Sequence, residues 1–309
     1  MSEKKEQTAK SEQRTSEREQ LRSKNHSLIS KIALGTVQFG LDYGISNDSG
    51  QTSKAEVKKI LEEASNFGVK TIDTARSYGS SEEALGQTGV HQFDVVTKLN
   101  PAELNKLSVK EQVQNSLQSL NVQHLYGVLF HNSESALSNP EAVNRLQKLK
   151  EEGLVKKTGY SLYTPDELSM ILDKYPLPDI IQVPFNILDK RFEPQLLDLH
   201  NKGVEIHTRS TFLQGLFFMH PDSLGRFFDP VKSFITTMQK KMSSKQALAA
   251  FLLLEVLQAR FIDKVVIGVN TSNQLRENIS GLMSSSTQIY FDIPTVKDSI
   301  LMPNLWPKN

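Results

Sequence analysis

Eight times along the chain, a short apolar run rich in β-branched residues gives way to a longer amphipathic segment. No other feature of the sequence limits the available folds as strongly. The short runs are IALGTVQF (32–39), VKTIDT (69–74), FDVVTK (93–98), LYGVLFH (125–131), VKKTGYS (155–161), DIIQVPFN (179–186), VEIHTRS (204–210) and KVVIGV (264–269). Their length and composition predict buried strands. Apolar residues at helical spacing predict helices over 53–68, 80–87, 108–121, 139–153, 164–175, 193–203, 244–258 and 273–282. Punctuation agrees: Gly68 closes the first helix, serines and acids open the second, and Pro165 sits in the first turn of the fifth. Strict alternation implies parallel strands, because each return needs a helical crossover. Eight such units close into a (β/α)8 TIM barrel. An open doubly wound sheet is the rival, but it usually has fewer strands, and no GxGxxG follows the first run.

A hydrophobic content of 38% in 309 residues is enough for one such barrel as a single domain over 28–309. Residues 1–27 mix both charge signs with almost no large apolar side chains, which predicts a disordered polar tail. Two stretches fall outside the repeat. Residues 211–243 follow the seventh strand and are expected at the catalytic face. Residues 284–309 could fold over the same mouth. The net charge of +1 gives no electrostatic footprint for nucleic acid or a membrane surface. The absence of cysteine excludes disulfides and thiolate chemistry. The most apolar stretch, 247–259, is too short to span a bilayer and contains Glu255, so a cytoplasmic protein is expected.

Barrel active sites lie at the C-terminal ends of the strands. The second strand ends with Asp73, and Tyr78 follows in its loop; the third ends with Lys98 and the fourth with His131. Each has an ordinary reading taken alone: a helix cap, a loop anchor, an exposed strand end, a core histidine. Together, on three adjacent strands, they form a set suited to proton donation by tyrosine. A free phenol titrates near 10, and a buried ammonium beside it would stabilise the phenolate. Asp73 would hold Lys98 charged and aimed, and His131 would orient a substrate oxygen. No side chain supplies a hydride, so a cofactor is required. A Schiff-base lyase using Lys98 is a competing reading, countered by the adjacent Asp73. The seven histidines show no HxH or HExxH pairing, so no metal site is expected.

The stretch DTARSYGSSEEALG (73–86), followed by VVTK and LFH at the next strands, resembles the aldo/keto reductase signature, and the likeness runs over most of 32–283. The resemblance implies NAD(P)H-dependent reduction of a small-molecule aldehyde or ketone, with Tyr78 as general acid/base. It places the nicotinamide carboxamide on Ser161 and Gln182, although Leu162 stands where the family usually has asparagine. Gly35 and Thr36 would lie under the cofactor. Arg209, followed by Ser210, occupies the position of an aromatic that often stacks on the nicotinamide. The segment from Gly268 and Val269 to Gln274, Glu277 and Asn278 would grip the adenosine end, and Arg276 could stand in for the basic residue expected at Gln274. NADP(H) is favoured over NAD(H) on family grounds. The segments 34–45 and RSTFLQG resemble a bacterial branch linked with sugar or surface-polysaccharide metabolism. Asn132 replaces the tryptophan common after the histidine, and the single tryptophan is Trp306, which suggests a polar, sugar-like carbonyl. A nicotinamide-binding sensor on the same barrel is the alternative.

Overall fold

The computed structural model describes residues 27–284 and 289–307, so the polar tail expected over 1–27 lies outside the described residues apart from Ser27. Eight strands close a parallel barrel in chain order. They are β1 (Ile32–Gly35), β2 (Thr71–Asp73), β3 (Asp94–Leu99), β4 (Leu125–Phe130), β5 (Val155–Ser161), β6 (Ile180–Pro184), β7 (Glu205–Arg209) and β8 (Lys264–Gly268). The last strand pairs with the first through Ile32↔Val265 to Gly35↔Gly268, which removes any open edge. Side chains alternate between the helix layer and the barrel interior. Ile32, Leu34, Ile72, Val95 and Leu85 lie in the main core between sheet and helices.

The helices form where their ends are capped. Ser108 and Glu111 make a reciprocal capping box before Val109–Leu120, and Thr164 and Glu167 do the same before Pro165–Lys174. Gly68 ends Lys54–Phe67 with φ of 83°, a left-handed conformation that glycine adopts without strain.

Two expectations need correction. β1 stops at Gly35 instead of 39, and Val37–Gly40 winds into a single helical turn. The Thr36 N–H makes the last bond of the ladder, to the Asp73 carbonyl at 3.1 Å, and the chain then turns helical. Gly40 then packs so close that a Cβ there would lie 1.7 Å from the Tyr78 carbonyl oxygen. The apolar run therefore braces the β2 loop instead of lengthening a strand. The second correction concerns 284–309, expected over the mouth; the segment it packs against, 211–243, borders the cavity through Thr211, Gln214 and Met219 and then forms a 13-residue helix, Asp229–Lys241. That helix buries Val231, Phe234, Ile235 and Met238 in a second hydrophobic cluster with Leu213, Phe217 and Trp306. The described C-terminal residues pack into this same cluster, and none of them borders the central cavity. Arg191 ties them down through an ion pair with Asp298 at 2.7 Å. The described part of the tail thus braces the post-β7 segment and does not line the cavity.

Candidate active site

A cavity of about 650 Å³ opens at the C-terminal ends of the strands, within the range typical of small-molecule sites. Its lining includes Asp73, Tyr78, Lys98 and His131, and also each of Gly35, Thr36, Ser161, Gln182, Arg209, Ser210, Gly268, Val269, Gln274, Glu277 and Asn278. Arg276 is absent from that lining, because its guanidinium pairs with Glu63 on the neighbouring helix at 2.5 Å.

The loop that carries Tyr78 runs along β3. Thr74 N–H donates to Val96 O at 2.8 Å and Arg76 N–H to Lys98 O at 3.1 Å. Lys98, 1% exposed, donates to Asp73 Oδ1 at 2.6 Å and to the Thr74 carbonyl at 3.1 Å. The other carboxylate oxygen of Asp73 accepts from Gln182 Nε2 at 2.7 Å. The Lys98 ammonium lies 5.3 Å from the Tyr78 ring centre, and the His131 ring meets that ring edge-on at 5.8 Å. The Tyr78 hydroxyl has no hydrogen-bond partner among the described residues, although the residue borders the cavity. His131 Nδ1 is held by Ser77 Oγ at 3.0 Å.

Electrostatics depart from the sequence expectation at the phenol. The Tyr78 pKa is raised, first by loss of hydration and second by the Asp73 charge, with Arg209 opposing. The Lys98 ammonium, paired with Asp73 and 5.3 Å from the ring centre, does not reverse that rise in the resting site. Burial lowers the Lys98 pKa as well, and the Asp73 contact works against that. Burial, then the cations Lys98 and Arg209, push His131 down to about 3, so its imidazole is neutral at ordinary pH. A neutral imidazole that accepts from Ser77 at Nδ1 presents Nε2–H as a donor. With Ser77 donating to Nδ1, the site holds one phenolic proton and one neutral N–H donor beside the same cavity. Lys98, enclosed and committed to two acceptors, is not placed to attack a carbonyl.

Ser161 Oγ reaches Gln182 Oε1 only at 3.5 Å, so both amide atoms of Gln182 face other protein groups, one of them weakly. Leu162 is fully buried, and its carbonyl accepts from Arg209 at 3.1 Å. The Arg209 guanidinium lies over the Tyr163 ring at 4.1 Å. Asn132 does not line the cavity; its side chain accepts from the Ser135 N–H at 2.9 Å and caps the short helix Ser133–Leu137. Beyond β8, Gln274 Oε1 accepts from the Asn270 N–H at 2.7 Å, and Glu277 is held by the amides of Asn273 and Gln246. Lys245 lines this end with no ion-pair partner among the described residues.

Several lining residues were not singled out from the sequence: Tyr43, Tyr163, Thr211, Gln214 and Lys245. Tyr43 and Gln214 join across the mouth at 2.7 Å, from loops 171 residues apart. Ser210, Leu213 and Gln214 all have φ between 46° and 66°, a left-handed cluster unusual outside glycine. Such strain gathers at functional loops. A nicotinamide dinucleotide fits this lining. That lining runs from the quartet to the helix Ser272–Ser284, where Gln274, Asn278, Glu277 and Lys245 border it, and the lining residues Gln38 and Thr211 carry buried oxygens without partners among the described residues.

Comparison with known proteins gives a consistent result. The family model described as Aldo/keto reductase family matches residues 31–287. The uncharacterized oxidoreductase YqkF of Bacillus subtilis is 25% identical over 278 residues, spanning 81% of this chain and 86% of its own. The NADH-specific methylglyoxal reductase of Escherichia coli is 28% identical over 216 residues, 61% of this chain and 65% of its own. The holo form of aldo-keto reductase AKR11C1 from Bacillus halodurans shares the fold, with a TM-score of 0.67 at 18% identity, covering 84% of this chain and 88% of its own.

Proposed function

The chain belongs to the aldo/keto reductase family, and from that premise we propose how its residues divide the work. It is an NAD(P)H-dependent oxidoreductase that reduces a small aldehyde or ketone to an alcohol. The nicotinamide, when bound, supplies the hydride. Tyr78 gives its proton to the substrate oxygen, and His131 Nε2–H fixes that oxygen in place. Asp73 holds the Lys98 ammonium behind the phenol, where it offsets charge as the proton leaves. The observation that carries this assignment is that the Tyr78 hydroxyl and His131 Nε2 alone, among the polar groups of the quartet, have no protein partner while their residues border the cavity.

Gly35, Thr36, Ser161, Gln182, Arg209 and Ser210 surround the nicotinamide end in this reading, and Gly268, Val269, Gln274, Glu277 and Asn278 the adenosine end. Preference for NADP(H) over NAD(H) rests on the resemblance and on Lys245, the unpaired cation at the adenosine end. The neutral Gln274 and the NADH-specific relative weigh the other way. A polar, sugar-like carbonyl is supported by the hydroxyl and amide groups of Tyr43, Tyr163, Asn47 and Gln214 around the mouth.

The test is consumption of reduced nucleotide against a panel of aldehydes, ketones and sugars, with both nucleotides titrated separately. Turnover that needs Tyr78 sustains the assignment; nucleotide binding without reduction of any carbonyl overturns it. Removing Lys245 (K245A) should weaken NADPH more than NADH; equal loss for both would end its role with the 2′-phosphate.

A further inference from the structure

The charges lining the cavity are not all balanced. Asp73 neutralises Lys98 at 2.6 Å, and Glu277 is held by amides at the far end. Arg209 stands at the tip of β7, half-buried, with no carboxylate within ion-pair distance among the described residues. Its contacts are neutral: the Leu162 carbonyl at 3.1 Å, the Ser210 hydroxyl at 3.3 Å and the face of Tyr163 at 4.1 Å. A guanidinium has five N–H donors, and these contacts use two. It lines the same cavity as Tyr78, Lys98 and His131, from the C-terminal end of the seventh strand. Beside it, Thr211 is 2% exposed, and its hydroxyl has no partner.

A half-buried cation bordering the same cavity as Lys98, with no carboxylate of its own, leaves that lining with unbalanced positive charge. The guanidinium lies over the Tyr163 ring with three of its five N–H donors unused by the described residues. That arrangement suits an oxyanion brought in by a ligand, because the planar fork matches carboxylate and phosphate geometry. We propose that the substrate is an anionic carbonyl compound, a carboxylate or phosphate ester whose charged group is received by Arg209 while its carbonyl lies at Tyr78 and His131. This deepens the reductase assignment and rests on it for the position of the carbonyl. The Thr211 hydroxyl is the natural second donor to the anion.

Equilibrium binding to protein saturated with oxidised nucleotide tests this without turnover. Two matched pairs separate the anions: D-glucuronate against D-glucuronamide, and glyceraldehyde 3-phosphate against glyceraldehyde. The expected result is that one charged member binds roughly tenfold more tightly than its neutral partner. In R209Q that preference should fall below about threefold, with R209K intermediate because it keeps the charge and loses the fork. Equal affinities within both pairs, or a preference that survives R209Q, would overturn the proposal. So would a loss of nucleotide affinity in R209Q as large as the loss of anion affinity, because the unused donors of Arg209, which borders the nicotinamide end in the reading above, would then be taken up by the cofactor and not by the substrate. Reduction of neutral aldehydes by the wild-type protein reads the catalytic assignment separately, so the two can fail independently.

Discussion

The barrel interior carries the same four side-chain types twice. At the C-terminal ends lie Asp73, Lys98, Tyr78 and His131; at the N-terminal ends lie Glu205, Lys157, Tyr126 and His207. At the base, everything converges on one carboxylate. Lys157 pairs with Glu205, Tyr126 donates to it at 2.8 Å, and His207 Nε2 meets it at 2.6 Å. Burial pushes Glu205 up, but those contacts outweigh it and bring the carboxyl down to about 2. At the top, the carboxylate takes only the lysine and Gln182, and the phenol and imidazole are left facing open space. The basal set closes on its carboxylate and leaves only His207 Nδ1 without a partner among the described residues, whereas the upper set turns a phenol and an imidazole nitrogen toward a cavity, which is what the proposed reaction needs. Buried charge alone does not distinguish them.

That contrast can be broken at four places. Removing the Tyr78 hydroxyl (Y78F) should lower kcat by about 10²–10⁴-fold, the range for a general acid, with nucleotide affinity kept. Steady-state kinetics with a nucleotide titration decides it; near-normal turnover would erase the distinction between the two quartets. At the base, E205Q should leave Lys157 without its counter-charge and lower stability by about 3 kcal/mol, or roughly 6–12 °C in Tm, while kcat stays near wild type. A thermal melt paired with a rate measurement checks this, and a large loss of rate with little loss of Tm would reverse the roles assigned here. Because Glu205 is depressed, its contribution is present above the unfolded carboxylate pKa and disappears as pH falls through about 2. S77A should cost about tenfold or less in kcat/KM, about the value of one hydrogen bond, because it frees His131 to take the wrong tautomer. The smallest effect is none at all: Tyr78 is raised above its usual range and His131 lowered to about 3, so neither changes charge between pH 5 and 9. The kcat/KM profile of the reduction should be flat there, and a limb near neutrality that vanishes in H131A would contradict the neutral imidazole.

Much of the upper quartet was legible because each member ends a short apolar run or opens the loop after it, and a closed barrel brings all such ends to one face. Other features depend on contacts that no local pattern records. β1 reads as longer than it is, since nothing local in the run shows that Val37–Gly40 winds into a turn that brings Gly40 against the Tyr78 backbone. The tyrosines at 43 and 163 become part of the site through partners far away in the chain. The Lys98–Asp73 pairing was legible, but the direction of the Tyr78 shift was not, because it follows first from burial of the phenol and then from the Asp73 charge, and burial depends on contacts far away in the chain. The helix Asp229–Lys241 was legible and overlooked, because Val231, Phe234, Ile235 and Met238 follow helical spacing after Pro230.

Trp306 is the only tryptophan in the chain, and its ring sits edge-on to Phe228 at 5.0 Å while its indole N–H donates to the Ile300 carbonyl. Its fluorescence therefore reports on the satellite cluster and not on the barrel proper. Leu213 and Phe217 of that cluster bracket Gln214 and Gly215, which line the mouth. A ligand that firms up this rim should be seen by an indole placed well to one side of it, giving the protein a built-in optical gauge of how tightly its entrance is held.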